Sequence, residues 1–324
     1  MTEVSALSVL AARGRIAPHV VRTPLRRSEW LSRETGGDVH LKIESVQPTG
    51  SFKIRGAFNF AIQHAARAPD VPIVTASAGN HGRALAYAAC MLGLRAVVHA
   101  PGDAPAAKLD AIRALGADLR LWPDYDEAER GAKRHAAQTG VPYLSPFSHP
   151  DIIAGAGTVA LEILEDLPQV DVLVVPVGGG GLVSGIGLVA KTVRGISVVG
   201  VEVEASHPFT TGLAAGRIVP IDVRPSLADG LVGNLDPDTI TFDLARQVVD
   251  RFVLASEDDL RRGLHGLLAV EHLVAEGAGI AAIAAVLAGR LDVRGRTAAI
   301  VLSGANIDLG RLMAVIGTAG AQGA

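Results

Sequence analysis

Short runs of valine, isoleucine and leucine alternate with amphipathic segments along most of the chain. Each of the first three runs is followed by a helical pattern of roughly 10–15 residues. The apolar runs lie at 71–77, 95–100, 118–122, 170–178, 196–204 and 297–304. Continuous apolar strands separated by amphipathic helices are typical of a parallel sheet with crossover helices. The pattern therefore predicts an α/β fold.

Composition narrows the function classes. The chain has 324 residues, 49% of them hydrophobic, which is enough for one large domain or two. A net charge of -3 gives no reason to expect nucleic acid or an anionic membrane as partner. No apolar stretch is long enough for a membrane span, and the N-terminus has no secretion signal. We predict a soluble cytoplasmic protein. Its single cysteine, Cys90, excludes an internal disulfide and is expected to be a buried helix residue.

A lysine follows a tight turn in TGSFKIRG, residues 49–56. The pattern places Lys53 at the start of a helix, where the positive end of the helix dipole disfavours a charged ammonium. Such a field, together with burial, lowers the pKa of an amine and makes it more nucleophilic. A solvated surface lysine is the alternative.

A second loop, TASAGNHGRA at 75–84, joins a predicted strand to a predicted helix. Its small residues expose backbone N–H groups at a helix N-terminus, which attracts a carboxylate or a phosphate. Asn80 can cap the helix or donate its amide to a ligand, and His81 can be a structural residue or a catalytic one.

Four consecutive glycines follow a buried strand in PVGGGGLVSG, residues 176–185. A run of this length exceeds what a turn requires and suits backbone wrapped around a phosphate, although a close-packed turn is the alternative. The sequence matches neither a P-loop nor a clear dinucleotide fingerprint.

The fourth loop, VLSGANID at 301–308, places Ser303 at the carboxyl end of an apolar strand. Ligands of open α/β sheets collect at this end of the strands.

In this order and spacing, the four loops resemble those of fold-type II pyridoxal-phosphate enzymes, in the branch of threonine/serine dehydratases and serine racemases. The resemblance extends from TPLRRSEWLS at 23–32 to VLSGANID. It implies two three-layer α/β/α domains with mostly parallel sheets and pyridoxal 5'-phosphate in the cleft between them. The small domain would comprise residues 48–144, and the large domain residues 1–47 and 145–324. A homo-oligomer, a dimer or a tetramer, is also implied.

The resemblance assigns roles by position. Lys53 would form the Schiff base with the cofactor, Phe52 would lie beside the ring, Asn80 would hydrogen-bond the ring 3-hydroxyl, and Ser303 would face the pyridine nitrogen. The phosphate would be held by Gly178, Gly179, Gly180, Gly181 and the Leu182 amide. The substrate carboxylate would be bound by Ser77, Ala78, Gly79, Asn80 and His81.

Two of these positions indicate the reaction. A neutral Ser303 hydroxyl does not stabilise a protonated pyridine nitrogen, which favours prompt loss of a β-substituent over a long-lived carbanion. Racemases of this branch carry a serine as second acid/base where this chain has Ala78, whose methyl cannot move a proton. The resemblance thus implies dehydration of a hydroxy amino acid such as L-threonine or L-serine to a 2-oxo acid and ammonia. The alternatives are a racemase, or a dehydratase of 3-hydroxyaspartate, phenylserine or an intermediate of hydroxyectoine breakdown.

Metal-stimulated relatives place a glutamate and, six residues on, an aspartate at a cation site. Here Glu202 occupies the first position, but the second is Pro208, which has no side-chain ligand, so no metal site is expected. A different site formed by Glu204 and His207 is the weaker alternative. Glu276 is a secondary candidate near the active site. The chain ends soon after Ser303, which predicts no feedback-regulatory domain, and its last residues, 317–324, are expected to fray.

Overall fold

Nine strands between residues 4 and 319 form two separate sheets. The computed structural model describes residues 4–319, so part of the C-terminal segment expected to fray, 320–324, lies outside the described residues. A six-stranded sheet has the order β1-β2-β9-β6-β7-β8, and a three-stranded sheet has the order β3-β4-β5. The strands are β1 Leu25–Arg27, β2 Asp38–Ile43, β3 Ile73–Ala76, β4 Ala96–Pro101, β5 Asp118–Trp122, β6 Val172–Pro176, β7 Ser197–Val203, β8 Arg251–Ala255 and β9 Thr297–Leu302.

Thirteen α-helices connect the strands in the described part of the chain, besides two short 3-10 helices at Glu44–Val46 and Asp229–Leu231 and a π-helix at Leu267–Glu271. The α-helices are α1 Ala6–Ile16, α2 Glu29–Thr35, α3 Lys53–Arg67, α4 Asn80–Leu92, α5 Ala106–Ala114, α6 Tyr125–Thr139, α7 Pro150–Asp166, α8 Gly181–Ala190, α9 Pro208–Ala215, α10 Thr241–Val248, α11 Glu257–Gly266, α12 Gly277–Leu287 and α13 Leu309–Ala319. Between residues 4 and 319, no helix combines the length and the apolar character that crossing a membrane requires.

The large sheet is buried on both faces. All its strand pairs are parallel except β1 with β2. Along β6, Val172 and Val174 pack into one hydrophobic cluster with α11 and α12, whereas Leu173 and Val175 pack into another with α7 and α8. Because successive side chains of a strand point to opposite faces, a sheet covered on both sides needs the continuous apolar run that β6 has. The result is the predicted three-layer α/β arrangement.

The small sheet is parallel throughout and is also covered by helices on both faces. Ile73 packs with α3 and α4, whereas its neighbour Val74 packs with α6. All three strands lie inside the segment 48–144 that is predicted to form a small domain. The exact domain boundaries stay a prediction.

The structure adds three strands and contradicts one expectation. The six predicted strands are present, and β1, β2 and β8 form in addition to them; β1 pairs antiparallel with β2 in a sheet that is mostly parallel, as predicted. Cys90 is exposed rather than buried, because it lies on the outer face of α4, whereas Ala88 and Ala89 face the core.

Candidate active site

The four loops singled out in the sequence meet in one cavity of about 690 Å³ between the two sheets. Three of them follow the carboxyl ends of β3, β6 and β9. The adjacent parallel strands β6 and β9 bring the glycine run and Ser303 to the same edge of the large sheet. Every predicted site residue lines this cavity: Phe52, Lys53, Ser77, Ala78, Gly79, Asn80, His81, Gly178, Gly179, Gly180, Gly181, Leu182 and Ser303.

The turn before α3 is fixed to the loop after β9 by backbone hydrogen bonds. The Phe52 amide donates to the Ser303 carbonyl over 3.1 Å, and the Ala305 amide donates to the Gly50 carbonyl over 2.9 Å. Gly50 has φ +73°, a conformation that a residue with a side chain rarely adopts. These bonds hold the first turn of α3, and therefore Lys53, against the large sheet.

Lys53 directs its amine into the cavity. Its Nζ donates to the Pro146 carbonyl over 2.8 Å and lies 5.2 Å from the centre of the Phe52 ring. Burial lowers the pKa of Lys53 to about 8, and the negative charge of Glu276 opposes this shift. The Lys53 amine therefore loses its proton at a lower pH than an ordinary lysine, as its position in the sequence predicts.

The glycine run forms a cradle of backbone N–H groups. Within the described chain, the amides of residues 178–183 have no hydrogen-bond acceptor, and no side chain caps the start of α8. A Cβ at Gly179 would overlap the Phe147 ring, and one at Gly180, which has φ +83°, would overlap Phe209. The close packing around the run excludes side chains, and the free amides at a helix N-terminus are suited to an anion.

The asparagine loop presents a second group of free amides. Among residues 4–319, none accepts from the backbone N–H of Ala78, Asn80 or His81 at the start of α4. The Asn80 side chain is held on two sides: its Nδ2 donates to Glu276 over 2.5 Å, and its Oδ1 accepts from Asn306 over 2.6 Å. One N–H of the Asn80 amide is left for a ligand.

His81 is buried beneath this loop. Neither of its ring nitrogens has a well-formed hydrogen bond with the described residues, and only 2% of the residue is exposed. Burial, assisted by the positive charge of Lys53, lowers the pKa of His81 to about 3. The imidazole is therefore neutral at physiological pH and cannot serve there as a cationic acid.

Glu276 lines the same cavity, as the resemblance implies. Burial raises the pKa of this carboxyl group to about 7, and the hydrogen bond from Asn80 opposes the shift. A carboxyl group with such a pKa changes its charge in the physiological range.

Glu202 has a different environment. Its carboxylate accepts from the amides of Phe209 and Thr210, both over 2.8 Å, and so caps the start of α9. His207 bonds Thr211 instead. The described residues contain no cluster of three or more acidic, histidine or cysteine side chains suited to a metal ion.

Two ion pairs join helices beside the small sheet to the segment 223–236, and the first of them, Lys108 with Asp229, lines the cavity. Lys108 on α5 contacts Asp229 over 3.1 Å, and Lys133 on α6 contacts Asp236 over 3.3 Å. Both acids belong to the irregular segment 223–236, much of which lines the cavity. Sequence reasoning missed this segment, Pro146 and Phe147, because none of them belongs to one of the four loop motifs. It also missed the role of Asn306, which lies in the fourth motif but pairs with residues distant in sequence.

The donors present fit pyridoxal 5'-phosphate. The free amides of the glycine run suit its phosphate, the Lys53 amine suits its aldehyde, and the remaining Asn80 N–H suits its ring oxygen. The Ser303 hydroxyl, in a residue only 4% exposed, has no partner among the described residues and suits the pyridine nitrogen.

Comparisons with known proteins agree with this chemistry. The family model "Pyridoxal-phosphate dependent enzyme" matches residues 16–304. An L-threonine ammonia-lyase of Thermotoga maritima is 42% identical over 92% of this chain and 74% of its own length. The catabolic L-threonine dehydratase TdcB of Escherichia coli K12 is 36% identical over 95% of both chains.

Solved structures show the same relationship. The structure of maize serine racemase matches with a TM-score of 0.90 and 30% identity, covering 99% of both chains. Family model, relatives and structure agree with the cavity geometry. The chain belongs to the pyridoxal-phosphate-dependent enzymes of fold type II.

Proposed function

We propose that the chain is a pyridoxal-phosphate-dependent ammonia-lyase that converts L-threonine or L-serine to a 2-oxo acid and ammonia. The observation that carries the proposal is the pairing of Lys53, an amine with a lowered pKa, with the methyl group of Ala78 in one cavity. A base for the Cα proton is available, whereas the serine that a two-base racemase needs is missing. The threonine ammonia-lyase and dehydratase relatives support the same reaction.

Each group of residues in the cavity has its own role in the reaction. The free amides at the start of α4 bind the substrate carboxylate, which orients Cα towards Lys53. When bound, the cofactor supplies the electron sink that acidifies the Cα–H bond. Neutral Lys53 accepts that proton. The uncharged Ser303 would not stabilise a positive charge on the pyridine nitrogen, which favours prompt loss of the β-hydroxyl. The hydroxyl leaves as water after it takes up a proton, which the phosphate held by the glycine run would supply. The loops that close the cavity exclude water from this step.

The charges in the cavity favour a substrate with an uncharged side chain. Among the described residues, the cationic side chains lining the cavity are Lys53 and Lys108, and Lys108 is already paired with Asp229. A second substrate carboxylate, as in 3-hydroxyaspartate, would be repelled by the acids Asp229 and Glu276 and would find no unpaired cation to bind it. We therefore place threonine and serine ahead of the dicarboxylate.

A racemase is the second candidate because the fold matches that of maize serine racemase. Replacing Ala78 with serine supplies the missing hydroxyl on the second face. We expect Ala78→Ser to produce measurable D-serine from L-serine, and the unmodified protein to produce pyruvate in large excess over D-serine.

The experiment is 2-oxo acid release from L-threonine, L-serine, threo-3-hydroxyaspartate and L-phenylserine by the holoenzyme. Lys53→Ala should abolish release, because no base remains for the Cα proton. The matched control is Lys191→Ala, which removes a surface lysine paired with Asp250 and should retain activity. Lysine-independent release, or D-serine as the main product from L-serine, would contradict the proposal.

We also expect the protein to be located in the cytoplasm and to assemble into a homo-oligomer. The expectation that Glu202 forms no metal site is checked by activity after dialysis against a chelator.

A further inference from the structure

Asn306 lies at the junction of three loops that build the cavity. Its Nδ2 donates to the Thr49 carbonyl over 2.8 Å and to Asn80 Oδ1 over 2.6 Å. Its Oδ1 accepts from Arg83 Nη1 over 2.7 Å. The amide thus connects the turn before Lys53, the asparagine loop and the loop after β9.

The two ends of this hydrogen-bond chain fix its direction. A guanidinium can only donate, so the Asn306 oxygen must face Arg83 and its nitrogen must face Thr49 and Asn80. Asn80 must then present its oxygen to Asn306 and its nitrogen to Glu276, whose carboxylate accepts. No other assignment of the two amides satisfies all four contacts.

Close packing prevents Asn306 from turning away. A Cβ at Gly50 would lie 2.7 Å from Asn306 Oδ1, and that glycine has φ +73°. Both hydrogens of the Asn306 amide are used, so the group has no freedom to exchange its nitrogen and oxygen without losing three hydrogen bonds.

We propose that Asn306 and Glu276 are positioning residues that lock the Asn80 side chain with its nitrogen towards the cofactor ring, so that Asn80 can donate to the ring oxygen but cannot accept from it. The lock favours the ionised form of that oxygen, because a fixed N–H donor makes a stronger hydrogen bond to an ionised oxygen than to a neutral hydroxyl. The inference rests on the cofactor site and holds whichever amino acid is the substrate.

The test is a double-mutant cycle on the dissociation constant of pyridoxal 5'-phosphate, measured by equilibrium dialysis. Asn306→Asp keeps the size of the side chain and its contact with Arg83 but removes both N–H donors. Loss of the lock should raise the dissociation constant about tenfold, which corresponds to about 1.4 kcal/mol. Asn80→Ala should raise it by a similar factor, and Asn306→Asp should add nothing further in the Asn80→Ala background, since it acts through Asn80.

The absorption spectrum of the bound cofactor gives a second readout. We expect Asn306→Asp and Glu276→Ala to shift the pH dependence of the absorption band, because the ring oxygen loses its fixed donor. The matched control is Gln63→Ala, which removes an amide with two hydrogen bonds on α3, away from the cavity. It should lower the melting temperature and leave both the dissociation constant and the band unchanged.

Two results would overturn the inference. One is a double variant whose dissociation constant rises by the product of the two single factors, which would mean that Asn306 acts independently of Asn80. The other is an unchanged band in Asn306→Asp and Glu276→Ala. If Asn306→Asp does not fold, Asn306→Ala takes its place in the cycle. A protein that binds the cofactor but turns over neither threonine nor serine would contradict the proposed function alone.

Discussion

Two features of its position disfavour a positive charge on Lys53. It lies at the first residue of α3, where the helix dipole disfavours positive charge, and its amine is enclosed by the cavity. Enclosure lowers its pKa to about 8, whereas a solvated lysine stays charged well above that pH. A nucleophilic amine is therefore available before any ligand binds.

Amine-specific labelling of the cofactor-free protein tests this property. At pH 8 we expect limiting acetic anhydride to modify Lys53 at least about tenfold faster than Lys191, because a larger fraction of Lys53 is neutral. Peptide mass spectrometry measures both rates in one sample. Equal rates would show that the Lys53 pKa is not lowered.

Glu276 predicts a pH-dependent stability of the cofactor-free protein. Its pKa is about 7 when folded, above the ordinary 4.5, because burial disfavours the carboxylate; Asp229 raises it further, and Lys108 and Lys53 lower it. This group stabilises the fold below about pH 4.5, and that stabilisation is lost as the pH rises through 7. The melting temperature of Glu276→Gln, relative to the unmodified protein, should therefore increase by a few degrees from pH 5 to pH 8.

An exposed acid provides the control for that measurement. Asp258 is 84% exposed and pairs with Arg261 on the surface. Asp258→Asn should show a difference in melting temperature that is the same at both pH values. A pH-independent difference for Glu276→Gln as well would refute the raised pKa.

At this scale the sequence predicted the residues of four loops that line the cavity, but neither the rest of the lining nor how the side chains pair. Loop motifs identify Lys53, Asn80 and Ser303 because each follows a strand or starts a helix. Asn306 belongs to the quoted VLSGANID motif, yet its role depends on Arg83 and Thr49, which are distant in sequence. Pairing of this kind follows from the way the loops pack together.

The element that determines anion binding is the glycine run together with α8. The run is free of side chains because neighbouring aromatic rings occupy the space in which a Cβ would lie. Helix α8 also packs tightly on α7, where a Cβ at Gly185 would overlap the Ile153 carbonyl. The position of the free amides therefore depends on the packing of both helices.

Gly179→Ala tests the cradle. Its methyl group would overlap the Phe147 ring, so the loop must shift, at a cost of about 1–3 kcal/mol of unfolding free energy. We expect the dissociation constant of pyridoxal 5'-phosphate to rise more than about tenfold, since the shift misaligns several N–H donors. Equilibrium dialysis and thermal unfolding measure the two effects.

Gly14→Ala is the matched control, because a Cβ at Gly14 meets nothing within 4 Å and the residue lies inside α1. Alanine favours a helix over glycine, so this variant should keep cofactor affinity and melt at the same or a higher temperature. If Gly179→Ala kept its cofactor affinity as Gly14→Ala does, the glycine run would not be the phosphate-binding cradle.

The long apolar runs also explain which strands could be predicted. Strands β6, β7 and β9 are buried on both faces and therefore read as continuous apolar sequence. Strand β1 has three residues, and β8 begins with an exposed arginine, so neither forms such a run. Edge strands of this kind are defined by pairing with a neighbour rather than by their own pattern.

At the scale of the whole molecule, a buried ionic network joins the two predicted domains. Arg55 on α3 bonds Glu44 after β2 and Glu162 on α7, each over 2.7 Å. Lys42 contacts Glu162 over 2.6 Å. All four side chains are almost fully buried, and the network lies one half-turn along α3 from Lys53.

Removing the central cation should be costly. Arg55→Met leaves two buried carboxylates with too few partners, so we expect a loss of about 3–5 kcal/mol in unfolding free energy, measured in urea. Arg113→Met, which breaks a surface pair with Asp110, should cost less than about 0.5 kcal/mol. Similar losses in the two variants would exclude a special role for the buried network.

The order of strands in the large sheet has a consequence for biosynthesis. The last strand to be made, β9, lies between β2 and β6, and without it β1-β2 is separated from β6-β7-β8. The loop after β9 also supplies Ser303 and holds the turn before Lys53. A nascent chain on the ribosome therefore has neither a complete sheet nor a complete cavity until residues 297–306 have emerged. Cofactor capture must therefore wait until this segment has emerged, and until then the partly made chain exposes the unpaired edges of β2 and β6.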